Sequence, residues 1–132
     1  MKTVFFDVDT QIDFLYPAGA LYVPGAETIV ENIATLNRFA AVHGIPVVST
    51  MDAHAEDDPE FTSWPPHCVV GTTGQQKPAA TLLEHRRVIA NLANGAEPVD
   101  FEGTQQFLLE KQTLDCFATV NLAKVLARLG AE

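Results

Sequence analysis

Several large protein classes are excluded by what this sequence lacks. It has only two cysteines, Cys68 and Cys116, in 132 residues, too few for a disulfide scaffold. Eight Lys and Arg face 17 Asp and Glu, a formal charge of −9. The basic surface that nucleic acids and anionic membranes require is therefore missing, and no partner of either kind is expected. No apolar run approaches the length of a membrane span. Asp7 and Asp9 interrupt the only apolar segment near the N-terminus, so no signal peptide is expected and a reducing cytoplasm is the default location. What is present is ordinary for a globular protein: 47% hydrophobic and 19% charged residues, with chain enough for one domain and a real core.

The order of elements predicts an α/β fold with a parallel sheet. Val4-Phe5-Phe6 is a short continuous apolar run, as in a strand covered on both faces. A helix is expected from about Ala26 to Val42, where Ile29, Ile33, Leu36, Phe39 and Ala40 recur at helical spacing and His43-Gly44 supplies a stop. Ile45 to Thr50 reads as a second buried strand, with Pro46 tolerable at its start. Strand, helix and strand in that order make a βαβ unit. Residues 51–78 are polar, rich in Pro and Gly, and long for an idle connection. Apolar runs at Val88-Ile89-Ala90 and Phe107-Leu108-Leu109 are further strands, and Leu122, Val125, Leu126 and Leu129 form one face of a closing helix capped by Gly130.

Three places carry the residue types that chemistry needs. The first is FFDVDTQIDF at residues 5–14, where Asp7, Asp9 and Asp13 follow an apolar run. Open α/β sheets place their sites at the carboxyl ends of strands, although Asp also simply favours turns. The second is Asp52-Ala53-His54 after the second strand, followed by Trp64-Pro65-Pro66-His67. An Asp and two His suit a divalent metal such as Zn²⁺, and the plainer account is a pair of solvated loop histidines. The third is Lys111, at the end of an apolar run, where a solvated strand terminus is the plainer account. A parallel sheet brings Asp9, Asp52 and Lys111 to one rim, and a Lys beside a carboxylate is a workable acid–base pair.

Two families compete for these residues. D-x-D-T after a strand resembles the haloacid-dehalogenase-type phosphatases, with Asp7 as nucleophile and Asp9 as acid. Those enzymes usually carry Gly-Thr after the second Asp, where this chain has Thr10-Gln11, and the resemblance leaves Asp52, His54, Trp64 and His67 unexplained. The second is the better fit. D-x-Q-x-D-F (Asp9 to Phe14), D-x-H, W-P-x-H and the stretch FEGTQQFLLEKQTLDCFATVNL together resemble the isochorismatase-like cysteine hydrolases, from Thr3 to Gly130 in consistent order. The Asp-His-His set points to their nicotinamidase branch.

That resemblance implies a Rossmann-like three-layer fold and a hydrolase of small amides such as nicotinamide, acting through a Cys-Asp-Lys triad. Asp9 would take the thiol proton and Lys111 would stabilise the thiolate. Asp52, His54 and His67 would hold a divalent metal, zinc by preference, and Phe14 and Trp64 would flank a flat ring. The partner implied is the amide substrate, and a homo-oligomer is an open expectation. The family's nucleophile lies on a strand–helix step after Lys111 that this chain does not reach. Cys116 reads as packing at the start of a helix, and Cys68 as a small buried side chain. The expectation is therefore that residues 1–132 are a single, incomplete domain that ends before the last strands and is inactive alone. The alternative outside both families is a non-catalytic module binding metal or a small ligand.

Overall fold

A computed structural model describes residues 3–92 and 101–131. Among these, four strands, β1 (Phe5–Val8), β2 (Val47–Asp52), β3 (Arg86–Ile89) and β4 (Gln106–Lys111), occur with three α-helices, α1 (Ile12–Leu15) and α2 (Val30–Val42) between β1 and β2 and α3 (Val120–Leu129) after β4. The strands form one sheet in the order β1-β2-β4-β3, and every pairing is parallel. The α/β expectation with a parallel sheet holds.

β2 is the centre, and all six of its residues are buried. Its polar residues survive burial because each hydroxyl is paired: Ser49 Oγ donates to Asp7 Oδ2 (3.2 Å), and Thr50 Oγ1 donates to Asp9 Oδ1 (2.7 Å). On one face of the sheet α3 presses Leu122 and Val125 against Val48, Ile89, Phe107 and Leu109. The other face holds Ala40 of α2 with Val47 and Leu83. Three layers result. α3 ends as its sequence predicts, with Gly130 left-handed at φ 70°.

Two expectations need correction. β1 was expected to be covered on both faces, yet Phe6 and Val8 are 41% and 55% exposed. β1 pairs with β2 alone among the described residues and stands at the sheet margin. The helix expected from Ala26 begins as a 3₁₀ turn, Ala26–Ile29, and becomes α-helical only at Val30. Of its apolar stripe, only Ala40 reaches the core. α2 buries Ala34, Asn37 and Ala40, small or hydrogen-bonded residues that let it sit close to the sheet, and Asn37 Nδ2 donates to the Thr81 carbonyl (2.7 Å). Ile29, Ile33 and Leu36 line a groove of about 440 Å³ together with Phe6 and Val8 of β1. No helix among the described residues is long and apolar enough to cross a membrane.

A candidate metal and acid–base site at the strand ends

Parallel register brings three charged side chains to one rim. Asp52 and Lys111 are the last residues of β2 and β4 and are direct partners across the ladder. Asp9 lies just past β1, and its amide donates to the Thr50 carbonyl (3.2 Å). Asp9 adopts φ 50°, a left-handed conformation that Asp tolerates better than most residues. The turn separates it from Asp7: Asp9 lines a cavity at the strand ends, whereas Asp7 lines the groove between β1 and α2.

Lys111 joins these carboxylates. Its side chain is 2% exposed, and its Nζ hydrogen-bonds to Asp52 Oδ1 and stands 3.0 Å from Asp9 Oδ2. A third donation goes to the Thr113 carbonyl (3.1 Å). Burial by itself pulls the ammonium pKa down, but the hydrogen bond that Lys111 donates to Asp52 and the charges of Asp52 and Asp9 outweigh it. The net direction is upward, so Lys111 is held as a cation.

Asp52, His54 and His67 converge behind that cation. Their ligand atoms lie within 4.8 Å of one another, with each histidine Nε2 3.8 Å from Asp52 Oδ2. His54 Nδ1 is 3.0 Å from Asp58 Oδ2, and His67 Nδ1 is 2.8 Å from the Pro65 carbonyl. These acceptors take the Nδ1 protons and leave both Nε2 lone pairs facing the common centre, the usual outer arrangement of a histidine metal site. His54 Nε2 is buried with no hydrogen-bond partner. A buried acceptor normally has one, so the donor set fits a divalent cation. One carboxylate and two imidazoles favour a borderline ion of the zinc type.

Beside this centre is a cavity of about 510 Å³. Phe14 and Trp64 both line it, as do Leu21, Val23 and Leu114. The Phe14 ring centroid is 5.5 Å from that of His67, and Trp64 is half exposed at the rim. The seven residues that the family resemblance implied for the site, Asp9, Phe14, Asp52, His54, Trp64, His67 and Lys111, all lie in this one region.

Others were not foreseen. Asp58, which orients His54, sits in the acidic run EDDPE, where nothing distinguishes it from a solvated charge. Its own pKa is lowered by the Glu60 amide first and by His54 second. Glu60 lines the cavity. Lys77, in a Gly- and Pro-containing loop, is almost wholly buried beside Asp7 (3.4 Å to Oδ2) and donates to Thr10 Oγ1 (2.9 Å). Burial pulls its pKa down, with Asp7 opposing.

Neither cysteine is prepared for attack. Cys68 is fully buried, and burial pushes its thiol pKa well up, reinforced by the charges of Asp52, Asp13 and Asp9. A neutral buried thiol is a poor nucleophile. Cys116 begins the 3₁₀ turn Cys116–Ala118 and packs against the α3 core cluster, as expected of a residue entering a helix.

Residues 3–132 match a family model described as the isochorismatase domain. No curated protein sequence matches. Among solved structures, a pyrazinamidase/nicotinamidase from Streptococcus mutans is 23% identical with a TM-score of 0.74, over 97% of this chain and 66% of that one. An N-carbamoylsarcosine amidase from Thermoplasma acidophilum is 25% identical with a TM-score of 0.73, over 99% of this chain and 64% of that one. A pyrazinamidase of Pyrococcus horikoshii, solved in complex with zinc, is 26% identical with a TM-score of 0.67, over 98% of this chain and 65% of that one. The chain thus spans just under two thirds of the length of these similar proteins.

Proposed function

The chain belongs to the isochorismatase family, and from that premise we propose that it carries the acid–base pair and metal set of a hydrolase of small amides. The substrate class we favour is a flat, uncharged aromatic amide such as nicotinamide, cleaved to its acid and ammonia. The observation that carries this reading is Lys111, which bridges Asp9 and Asp52 and so joins an acid–base group to a metal-ligand set at the wall of one cavity.

In this reading a thiol attacks the amide carbonyl, and Asp9 accepts the thiol proton. Asp9 returns that proton to the departing nitrogen, so ammonia leaves as the carbonyl carbon keeps its bond to sulfur. Water then releases the acid and restores the thiol. Lys111 holds Asp9 in place and adds positive charge where the thiolate develops. Asp52, His54 and His67 would hold a divalent cation, which would supply positive charge for a polar edge of the substrate. Phe14 and Trp64 supply apolar surface for the ring. The buried, neutral Cys68 and the partly buried Cys116 at the entrance to α3 support assigning the thiol to a segment outside residues 1–132, with these residues as part of a longer single domain.

The phosphatase reading finds no support. Asp7, which it would use as nucleophile, is buried in contact with Lys77, Ser49 and Thr10 and lines the other groove. The test is ammonia release from nicotinamide by the longest natural form of the chain, with Asp9→Asn and Lys111→Met as variants. Loss of release in both variants is expected. Metal uptake without ammonia release from the unmutated protein would instead favour a binding module.

A further inference from the structure

The sequence places Asp9, Gln11 and Asp13 at alternate positions, and each grips a different wall of the site. Asp9 is held by Thr50, as described above. Gln11 is fully buried. Its Nε2 donates to the carbonyls of Asp52 and Gln75, both at 2.8 Å, and its Oε1 accepts from the Asp52 amide (2.7 Å). β1 has already turned away at Asp9, so no backbone from that strand reaches Asp52. The side-chain amide of Gln11 stands in for the missing strand, taking both the N–H and the C=O of Asp52.

Asp13 does the same for the other metal loop. Its Oδ2 accepts from the Cys68 amide (2.7 Å), and its Oδ1 accepts from the Ala20 amide (2.9 Å). Cys68 directly follows His67 and has φ 46°, a left-handed conformation that a non-glycine residue keeps only where its surroundings hold it. Gly19 and Gly74 close around Asp13 so tightly that a Cβ on either would overlap it. The carboxylate is thus fixed, and it fixes the peptide that carries His67.

We infer that Gln11 and Asp13 are positioning residues for the metal set, Gln11 setting Asp52 and Asp13 setting His67 through the Cys68 peptide. The inference rests on the metal-binding part of the reading above. It gives the alternation in D-x-Q-x-D-F a physical purpose: one short segment aligns a carboxylate on one loop with an imidazole on another.

The test uses Co²⁺ alone as an optical probe of the purified chain, with folding checked by far-UV circular dichroism. Asp13→Asn keeps the side chain's size but leaves one oxygen for two N–H donors. It is expected to weaken Co²⁺ binding about 10- to 100-fold, the range seen when partners of metal-binding histidines are removed, and to shift the visible Co²⁺ bands. Gln11→Glu, which loses both donations, is expected to do likewise and stands as the second variant where Asp13→Asn fails to fold. In a His67→Ala background Asp13→Asn should have no further effect on affinity, because it acts through that imidazole. Folded variants that bind Co²⁺ as tightly as the wild type overturn the inference alone, as does an Asp13→Asn loss that persists without His67. A wild-type chain that takes up no Co²⁺ overturns the metal reading itself, and this inference with it.

Discussion

At Asp7 and Lys77 two charges are buried together, and neither can be removed singly without leaving the other in a low-dielectric site. Asp7→Asn should destabilise the chain by about 3–5 kcal/mol, read from urea midpoints, while Asp7→Asn combined with Lys77→Met should recover part of the loss. An additive double variant would show that the two do not interact. Cys68 gives a chemical test of burial. In native protein at pH 8 iodoacetamide should modify Cys116 alone, and in denaturant both cysteines, as intact mass would report. Because the folded thiol holds its proton above the ordinary value of about 8.5, the unfolded chain releases a proton first as pH rises. The Cys68 contribution to stability is therefore fully present below that value and declines above it. Comparing wild type with Cys68→Ser at pH 7.5 and 10 isolates the effect. The proposed metal set makes a further prediction: Zn²⁺ at 100 times its dissociation constant should raise stability by about 2.7 kcal/mol, seen as a higher Tm, and His54→Ala should abolish that gain.

Among the elements, α3 and α2 show when periodicity locates a core and when it does not. In α3 the spaced Leu122 and Val125 are fully buried, so the apolar stripe and the packed face coincide. In α2 the packed face is Ala34, Asn37 and Ala40, and the larger apolar side chains turn toward β1 and the groove. Periodicity reports that a helix has an apolar side, and close packing on a sheet selects the small residues. The C-terminal cap of α3 is the more local feature. Gly130 is left-handed and its amide donates to Ala127, so Gly130→Ala should lower stability by about 1 kcal/mol. A thermal melt resolves a change of that size.

Over the whole molecule, the surface at β1 stands out. Phe6 and Val8, on a strand at the edge of the sheet among the described residues, adjoin the exposed Ile29 of the 3₁₀ turn and Leu36 of α2, and an open apolar edge promotes strand-to-strand association. This chain should self-associate as its concentration rises, and Val8→Lys with Leu36→Glu should shift it toward monomer in sedimentation velocity. The sequence by itself determined the parallel α/β class, because strand ends in such a sheet face one way, and through its motifs it marked the Asp, His and Lys side chains that the fold then gathers at one rim. It also determined the α3 core face and its Gly130 cap, which depend on neighbours three and four residues apart. Only the tertiary structure decided that Asp7 and Asp9 serve different surfaces, since that follows from a single left-handed residue. The partnership of Lys77 with Asp7, the role of Asp58 behind His54 and the exposure of β1 were likewise settled by folding. Each depends on which distant segment arrives alongside, and burial rather than residue type sets whether a charge is solvated or structural.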